Sequence, residues 1–253
     1  MYIENISPVI ITLGPLAIRW YGLMFALSVL IGYLNMRKHG QKIGFNEDFI
    51  LNLFVILIFA IVVGARLVYV VTNWPFFLER PDLVVRIDQG GLAFHGGLLG
   101  GVLGSWLYCR FKQADWQALA DLAVPGIAVG IMLVRIANIF NQEILGRPVE
   151  HFIFERHPAQ LYGSLIGLIL LMLHNYLTRR PGLKAGFLFW SFIFAYSFLR
   201  GLLEETFREN PLVAWGYINP DWGAGFFTAV QVITPFLLVF SLLMLRKIGY
   251  DPK

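Results

Sequence analysis

GGLAFHGGLLGGVLG, residues 90–104, is an apolar run dense in glycine with a histidine, His95, at its mouth. Gly96, Gly100 and Gly104 recur every four residues, and Gly97 and Gly101 make a second row. On a helix such rows form small-residue faces that let a neighbouring helix approach closely, a device typical of membrane interiors. The rest of the chain agrees with that setting. Its 253 residues are 57 % hydrophobic and only 14 % charged, whereas charged residues make up about a quarter of a soluble domain.

Seven stretches reach the length of about 20 residues needed to cross a bilayer: 16–36, 49–74, 92–111, 122–140, 161–177, 186–203 and 226–245. Between them the basic residues alternate. Arg37, Lys38 and Lys42 follow the first stretch, Arg110 and Lys112 the third, Arg179, Arg180 and Lys184 the fifth, and Arg246, Lys247 and Lys253 the last. Connections rich in lysine and arginine stay on the cytoplasmic side. The remaining connections carry most of the acids, among them Asp88, Glu143, Glu150 and Glu209. The expectation is an all-α integral membrane protein with seven transmembrane helices, N-terminus outside and C-terminus inside, forming one polytopic domain over residues 1–253. Residues 75–90 and 210–225, both holding tryptophan and proline, are expected to form a small outer cap. The N-terminus lacks a basic region ahead of its apolar stretch and an obvious cleavage site, so the first segment is expected to remain.

With this orientation Arg19, Arg66, His95, Arg135 and Arg200 all fall in the outer half. Charges in spanning helices are costly and face a bundle interior or a wet cavity, so a cationic cavity open to the outer side is expected. Other chemistries find little support. A single cysteine, Cys109, precludes an internal disulfide, and the five histidines show no metal-ligand spacing. Cys109 sits at the inner end of its helix without a candidate base, so a reacting thiol would belong to the substrate. Dispersed basic residues give no nucleic-acid surface.

Two further stretches carry polar side chains. In LVRIANIFNQEILGRP, residues 133–148, Arg135, Asn138 and Gln142 share a helix face, with Glu143 and Arg147 beyond. Packing needs fewer polar groups, and a guanidinium fork suits phosphate. In YSFLRGLLEETFR, residues 196–208, Tyr196, Arg200, Glu204 and Arg208 lie four apart, which predicts a ladder of ion pairs from Arg200 to Glu204 to Arg208. Either stretch could be a packing network, and His95 either an interfacial anchor or a proton acceptor. Arg156-His157-Pro158 ahead of Gln160 and Tyr162 predicts a helix start whose free amides could meet an anion.

Taken in order, RWYG (19–22), FHGGLLG (94–100), RIAN (135–138), NQE (141–143), LGRP (145–148), RHPAQLY (156–162) and YxxxRxxxE (196–204) with Arg208 beyond resemble the prolipoprotein diacylglyceryl transferases of bacterial cytoplasmic membranes. The resemblance implies an enzyme that moves the diacylglyceryl group of phosphatidylglycerol onto the lipobox cysteine of a prolipoprotein signal peptide. A thioether forms and glycerol phosphate leaves, as the first step of lipoprotein maturation. It implies no metal or organic cofactor, membrane lipids and the prolipoprotein as partners, and a site facing the outer leaflet. Tyr21, His95, Arg135, Asn138, Glu143, Gly146, Tyr196, Arg200 and Glu204 match the family's lipid-site positions. On that reading His95 is the candidate base, Arg135 and Arg200 bind phosphate, and Glu143 and Glu204 hold the arginines. The chain departs from the family pattern at Val134 and Gln142, which replace glycines, at Leu145, which replaces tryptophan, and at Gly163, which replaces the glutamate after Gln-Leu-Tyr. From a different class, a transporter or lipid-binding module would share the cationic cavity without the chemistry, but no internal repeat supports it. An intramembrane protease lacks its catalytic residues at suitable depth.

Overall fold

The computed structural model describes residues 6–14, 16–87, 90–149 and 155–249. Asp88, Glu150, His151 and Lys253 lie outside them. The helices are α1 (Trp20–Gly40), α2 (Glu47–Thr72), a short α3 (Trp74–Glu79), α4 (Phe94–Phe111), α5 (Trp116–Phe140), α6 (Ala159–Leu177), α7 (Phe187–Leu199), a last turn α8 (Glu205–Phe207) and α9 (Ala229–Ile248). A π turn, Arg200–Glu204, joins α7 to α8 without a break.

A helix therefore stands on each of the seven predicted stretches. Among the described residues, five are long and apolar enough to cross a membrane: α2, α5, α6, the continuous Phe187–Phe207 and α9. The α1 helix ends on Arg37, Lys38 and His39, and α4 has only 18 residues, five of them glycine. Large apolar side chains point outward along these helices, Phe59, Phe111 and Phe236 being 68, 82 and 73 % exposed. Such surface is untenable in water and suited to lipid.

The expectation of an all-α fold is corrected by two antiparallel hairpins. Strand β1 (Val9–Leu13) pairs with β2 (Leu16–Arg19), with Ile11 opposite Ile18 and Thr12 opposite Ala17. Residues 16–19 look like the start of a spanning helix because a short apolar run has no period that separates strand from helix. The β-branched run Val-Ile-Ile-Thr before Gly14, whose φ is +60°, supplies the partner strand. Within the predicted cap, β3 (Leu212–Asn219) pairs with β4 (Ala224–Thr228). The Asn219 side chain accepts from the Trp222 amide at 3.1 Å, and Gly223 has φ +55°, which closes the turn.

The chain divides into two compact units, one of residues up to Asn35 together with those from Ala120 on, the other Met36–Leu119. In the second, the glycine rows of α4 meet α2. A Cβ on Gly96 would lie 2.3 Å from the Gly64 carbonyl oxygen, and one on Gly100 would lie 2.1 Å from that of Ala60, while Gly97 and Gly101 face Ile61. Backbone meets backbone here, so no side chain can give way. Gly100→Leu is expected to destabilise by about 3 kcal/mol or more, seen as a lower unfolding temperature in detergent. Gly22→Ala, where a Cβ meets nothing within 4 Å, should leave that temperature unchanged.

The first unit is built on Val124 and Ala128 of α5, Ile166 and Leu170 of α6, and Phe192 of α7, all buried together. Trp20, the first residue of α1, stacks on Phe140, the last of α5, with ring centroids 4.5 Å apart. These contacts bring the ends of α1, α5, α6 and α7 within one framework.

Candidate active site

The polar stretches of α5 and α7 meet in the first unit, but not in the predicted arrangement. Arg200 does not pair with Glu204. Its Nε and Nη2 both donate to Glu205 Oε1 at 3.3 Å, and Nη1 donates to the Tyr196 hydroxyl at 3.0 Å. The cause is the π turn, in which five residues instead of about four return to the same face. Glu205 takes the face of Arg200, and Glu204 is turned towards α5. There Arg135 grips it with two parallel bonds, Nη2 to Oε1 at 2.7 Å and Nε to Oε2 at 3.4 Å.

Arg208 closes the network, with Nη1 3.7 Å from Glu204 Oε1 and 3.4 Å from Glu205 Oε1. Glu205 also accepts from Asn210 Nδ2 at 2.7 Å and from the Thr228 hydroxyl at 3.3 Å. Both glutamates are fully buried, whereas the arginine side chains retain exposure, 12 % for Arg135, 25 % for Arg200 and 20 % for Arg208. Among the described residues three guanidinium groups thus share two carboxylates, leaving one positive charge unmatched. A guanidinium carries five N–H donors, and Arg135 Nη1 makes no bond among the described residues. The arrangement can receive an anion with several acceptor oxygens.

Asn138, one turn beyond Arg135, is 2 % exposed, and its Oδ1 has no hydrogen-bond partner among the described residues. A buried unpaired acceptor costs about 1–3 kcal/mol, so a ligand donor there would be favoured. Glu143 does not hold an arginine as expected. Its side chain is exposed and forms no ion pair with Arg135 or Arg200, and its carbonyl accepts from Gln160 Nε2 at 2.9 Å. Gln142, in place of the family's glycine, has φ +55°, in the left-handed region that glycine enters without cost.

Gly146 is needed for backbone approach, since a Cβ there would lie 2.0 Å from the His157 carbonyl oxygen. Arg156 Nη1 donates to the Gly146 carbonyl at 2.9 Å. His157 sits between Tyr162, whose hydroxyl is 3.1 Å from Nδ1, and the Trp222 carbonyl, 2.8 Å from Nε2, tying the start of α6 to the β3–β4 turn. Three of the amides at that start are already used: those of Leu161 and Tyr162 donate to Pro158 and that of Ala159 to His157. Arg147, buried beside them, donates from Nη2 to the Asn210 carbonyl at 3.1 Å. Burial lowers its pKa from the ordinary arginine value, while Glu209 and Glu205 pull it back up.

Tyr21, in the first turn of α1, belongs to the same unit and is 38 % exposed. His95, in the first turn of α4, belongs to the other unit, where it is exposed and meets the Phe94 ring edge-on at 5.7 Å. Arg66, also in that unit, is committed to structure. Its guanidinium donates to the carbonyls of Leu83, Val84, Gly90 and Gly91 and lies over Tyr69 and Phe77. Cys109 is buried. Sequence reasoning missed Glu205, Asn210 and Thr228. The available signal was the acidic pair Glu204-Glu205, since consecutive residues cannot both lie on one four-residue ladder.

The family model described as prolipoprotein diacylglyceryl transferase matches residues 8–246. Curated relatives named phosphatidylglycerol–prolipoprotein diacylglyceryl transferase include one from Thermoanaerobacter sp. strain X514, 47 % identical over all of this chain and 98 % of its own length. Another, from Caldanaerobacter subterraneus subsp. tengcongensis, is 45 % identical over the same shares. A third, from Thermus thermophilus, is 37 % identical over 94 % of this chain and 97 % of its own.

Proposed function

Since this chain belongs to the prolipoprotein diacylglyceryl transferase family, we propose that it transfers the diacylglyceryl group of phosphatidylglycerol to the thiol of a prolipoprotein's lipobox cysteine. The observation that carries the reading is the unmatched positive charge of three arginines on two buried glutamates, which suits a phosphodiester headgroup and the phosphate monoester that leaves.

The sulfur attacks the glycerol carbon esterified to phosphate. A carbon–sulfur bond forms, the carbon–oxygen bond breaks, and its electron pair departs on the oxygen of glycerol phosphate. The thiol must first lose its proton, because a free cysteine is only a few per cent ionised at neutral pH. His95 accepts that proton, since a neutral imidazole carries a basic ring nitrogen and a guanidinium has none to offer. Arg135 and Arg200 bind the headgroup phosphate and stabilise the charge growing on it, each contributing about 3 kcal/mol in a water-poor site. The unpaired Asn138 Oδ1 accepts from a headgroup hydroxyl, and Tyr21, Tyr196, Glu143 and Gly146 shape the surrounding pocket. Glu204 orients Arg135.

The setting of this chemistry belongs to the same proposal. All seven long helices cross the cytoplasmic membrane of a bacterium as one polytopic domain, with the N-terminus outside, the C-terminus inside and the site at the outer leaflet. The supports are the alternating basic connections and the outward apolar side chains.

The test incubates purified protein with phosphatidylglycerol and a lipobox peptide. Thioether-linked diacylglyceryl peptide is expected, and lipid binding without product would instead indicate a binding module. His95→Gln should lower kcat about 100-fold. An unchanged rate would remove His95 from the proton transfer.

A further inference from the structure

Thr228 and Gln231 open α9, and both reach back to the π turn. The Thr228 hydroxyl oxygen accepts from the Gln231 amide at 3.2 Å, and Gln231 Oε1 accepts in return from the Thr228 amide at 3.1 Å. A reciprocal helix cap needs nothing more. Here each side chain makes further bonds. The Thr228 hydroxyl, in a residue only 1 % exposed, donates to Glu205 Oε2 at 3.3 Å. Gln231 Nε2 donates to the Gly201 carbonyl and to Thr206 Oγ1, both at 3.1 Å. Gly201 follows Arg200 and Thr206 follows Glu205, so one carboxamide holds the neighbours of both members of that pair. A Cβ on Gly201 would lie 2.8 Å from Thr234 Oγ1, so α9 packs directly against the turn. A regular helix brings residues three and four apart together. Arg200 meets Glu205 only while the turn keeps its extra residue.

We propose that Gln231 and Thr228 are positioning residues for the transfer. From the start of α9 they hold the π turn and the Glu205 carboxylate in place, and through Glu205 they aim the Arg200 guanidinium at the headgroup phosphate. They act through Arg200 rather than on the lipid. The proposal rests on the reading that Arg200 meets that phosphate.

The experiment measures kcat in the peptide-transfer assay, and the unfolding temperature in detergent, for wild type, Gln231→Glu, Arg200→Gln and the double variant. Gln231→Glu keeps the acceptor of the reciprocal cap and gives up both amide donors. Its kcat should fall about 10- to 100-fold, the cost of moving a binding group by about 1 Å, with an unfolding temperature close to that of wild type. Once Arg200 is replaced there is no guanidinium to aim. In the Arg200→Gln background, Gln231→Glu should therefore lower kcat by less than about threefold more. A purely structural role would cost the same factor in both backgrounds. Equal factors, or a wild-type kcat in Gln231→Glu, overturn the proposal. If Gln231→Glu does not fold, Thr228→Val, which keeps the shape and loses the hydroxyl, takes its place with the same expected kcat effects. If neither folds, the two residues serve the framework alone and the proposal is overturned. Failure of the underlying reading looks different: wild type gives no thioether product, or Arg200→Gln remains fully active, and either result removes the proposal with it. Active wild type, impaired Arg200→Gln and unimpaired Gln231→Glu defeat this inference alone.

Discussion

Replacing Arg135 with glutamine is expected to lower kcat by a factor of about 100 to 1,000, the loss typical of removing one preorganised donor to a charge that develops in the transition state. The side chain is aimed by two bonds to Glu204 and by the surface of α6 at Gly163, with Nη1 left over. Lysine should recover only part of the rate, because a point charge cannot both hold Glu204 through parallel bonds and face a phosphate. Stability is the competing explanation, since Glu204 is fully buried and loses its main partner. Arg208 remains 3.7 Å away and limits that effect. Thermal unfolding of the purified variants in detergent separates the two: a folded Arg135→Gln protein with little turnover is the expected result, and a folded protein with wild-type kcat would exclude Arg135 from the chemistry.

Glu205→Gln should have the larger structural effect. This carboxylate is fully buried and takes bonds from Arg200, Arg208, Asn210 and Thr228. Removing its charge strands two partly buried guanidinium groups, and breaking one side of a buried pair costs about 3–5 kcal/mol. Arg200 keeps at most a neutral amide oxygen in place of the carboxylate that aims it, beside Tyr196, so kcat should fall at least as far as in Arg135→Gln. A double-mutant cycle gives the sharper reading. Arg200 should couple to Glu205 by more than about 1 kcal/mol, and a coupling near zero would mean that the direct bonds between them are not made.

How far the sequence alone reaches follows from what kind of signal each feature leaves. Glycine rows four apart in 94–104 announce a close helix contact, and Gly96 and Gly100 do rest against backbone of α2. Helix-length apolar runs are equally plain. The β1–β2 hairpin is not, because residues 16–19 form an apolar run too short to carry a period. At the site, residue types pointed to Arg135, Asn138 and Arg200, and all three lie in one unit, with Arg135 and Arg200 in one ion-pair network. Pairing did not follow from spacing, because one extra residue in a turn changes every partner after it. That single shift moved Arg200 from Glu204 to Glu205 and handed Glu204 to Arg135. Arg66 was misleading for the opposite reason. An arginine at membrane depth signals a polar partner, and here that partner is the backbone of residues 83–91.

On the proposed function the arginine network serves a displacement at carbon, in which phosphate leaves with the oxygen that joined it to the diacylglyceryl group. The most direct measurement uses phosphatidylglycerol labelled with oxygen-18 at that bridging oxygen, with the purified protein and a lipobox peptide, and follows the label by mass spectrometry. Displacement at carbon puts all of the label in glycerol phosphate, alongside the thioether-linked lipid peptide. Label in released diacylglycerol, with the peptide bound to phosphorus and no thioether formed, would mean that the phosphorus–oxygen bond breaks instead, and would contradict it.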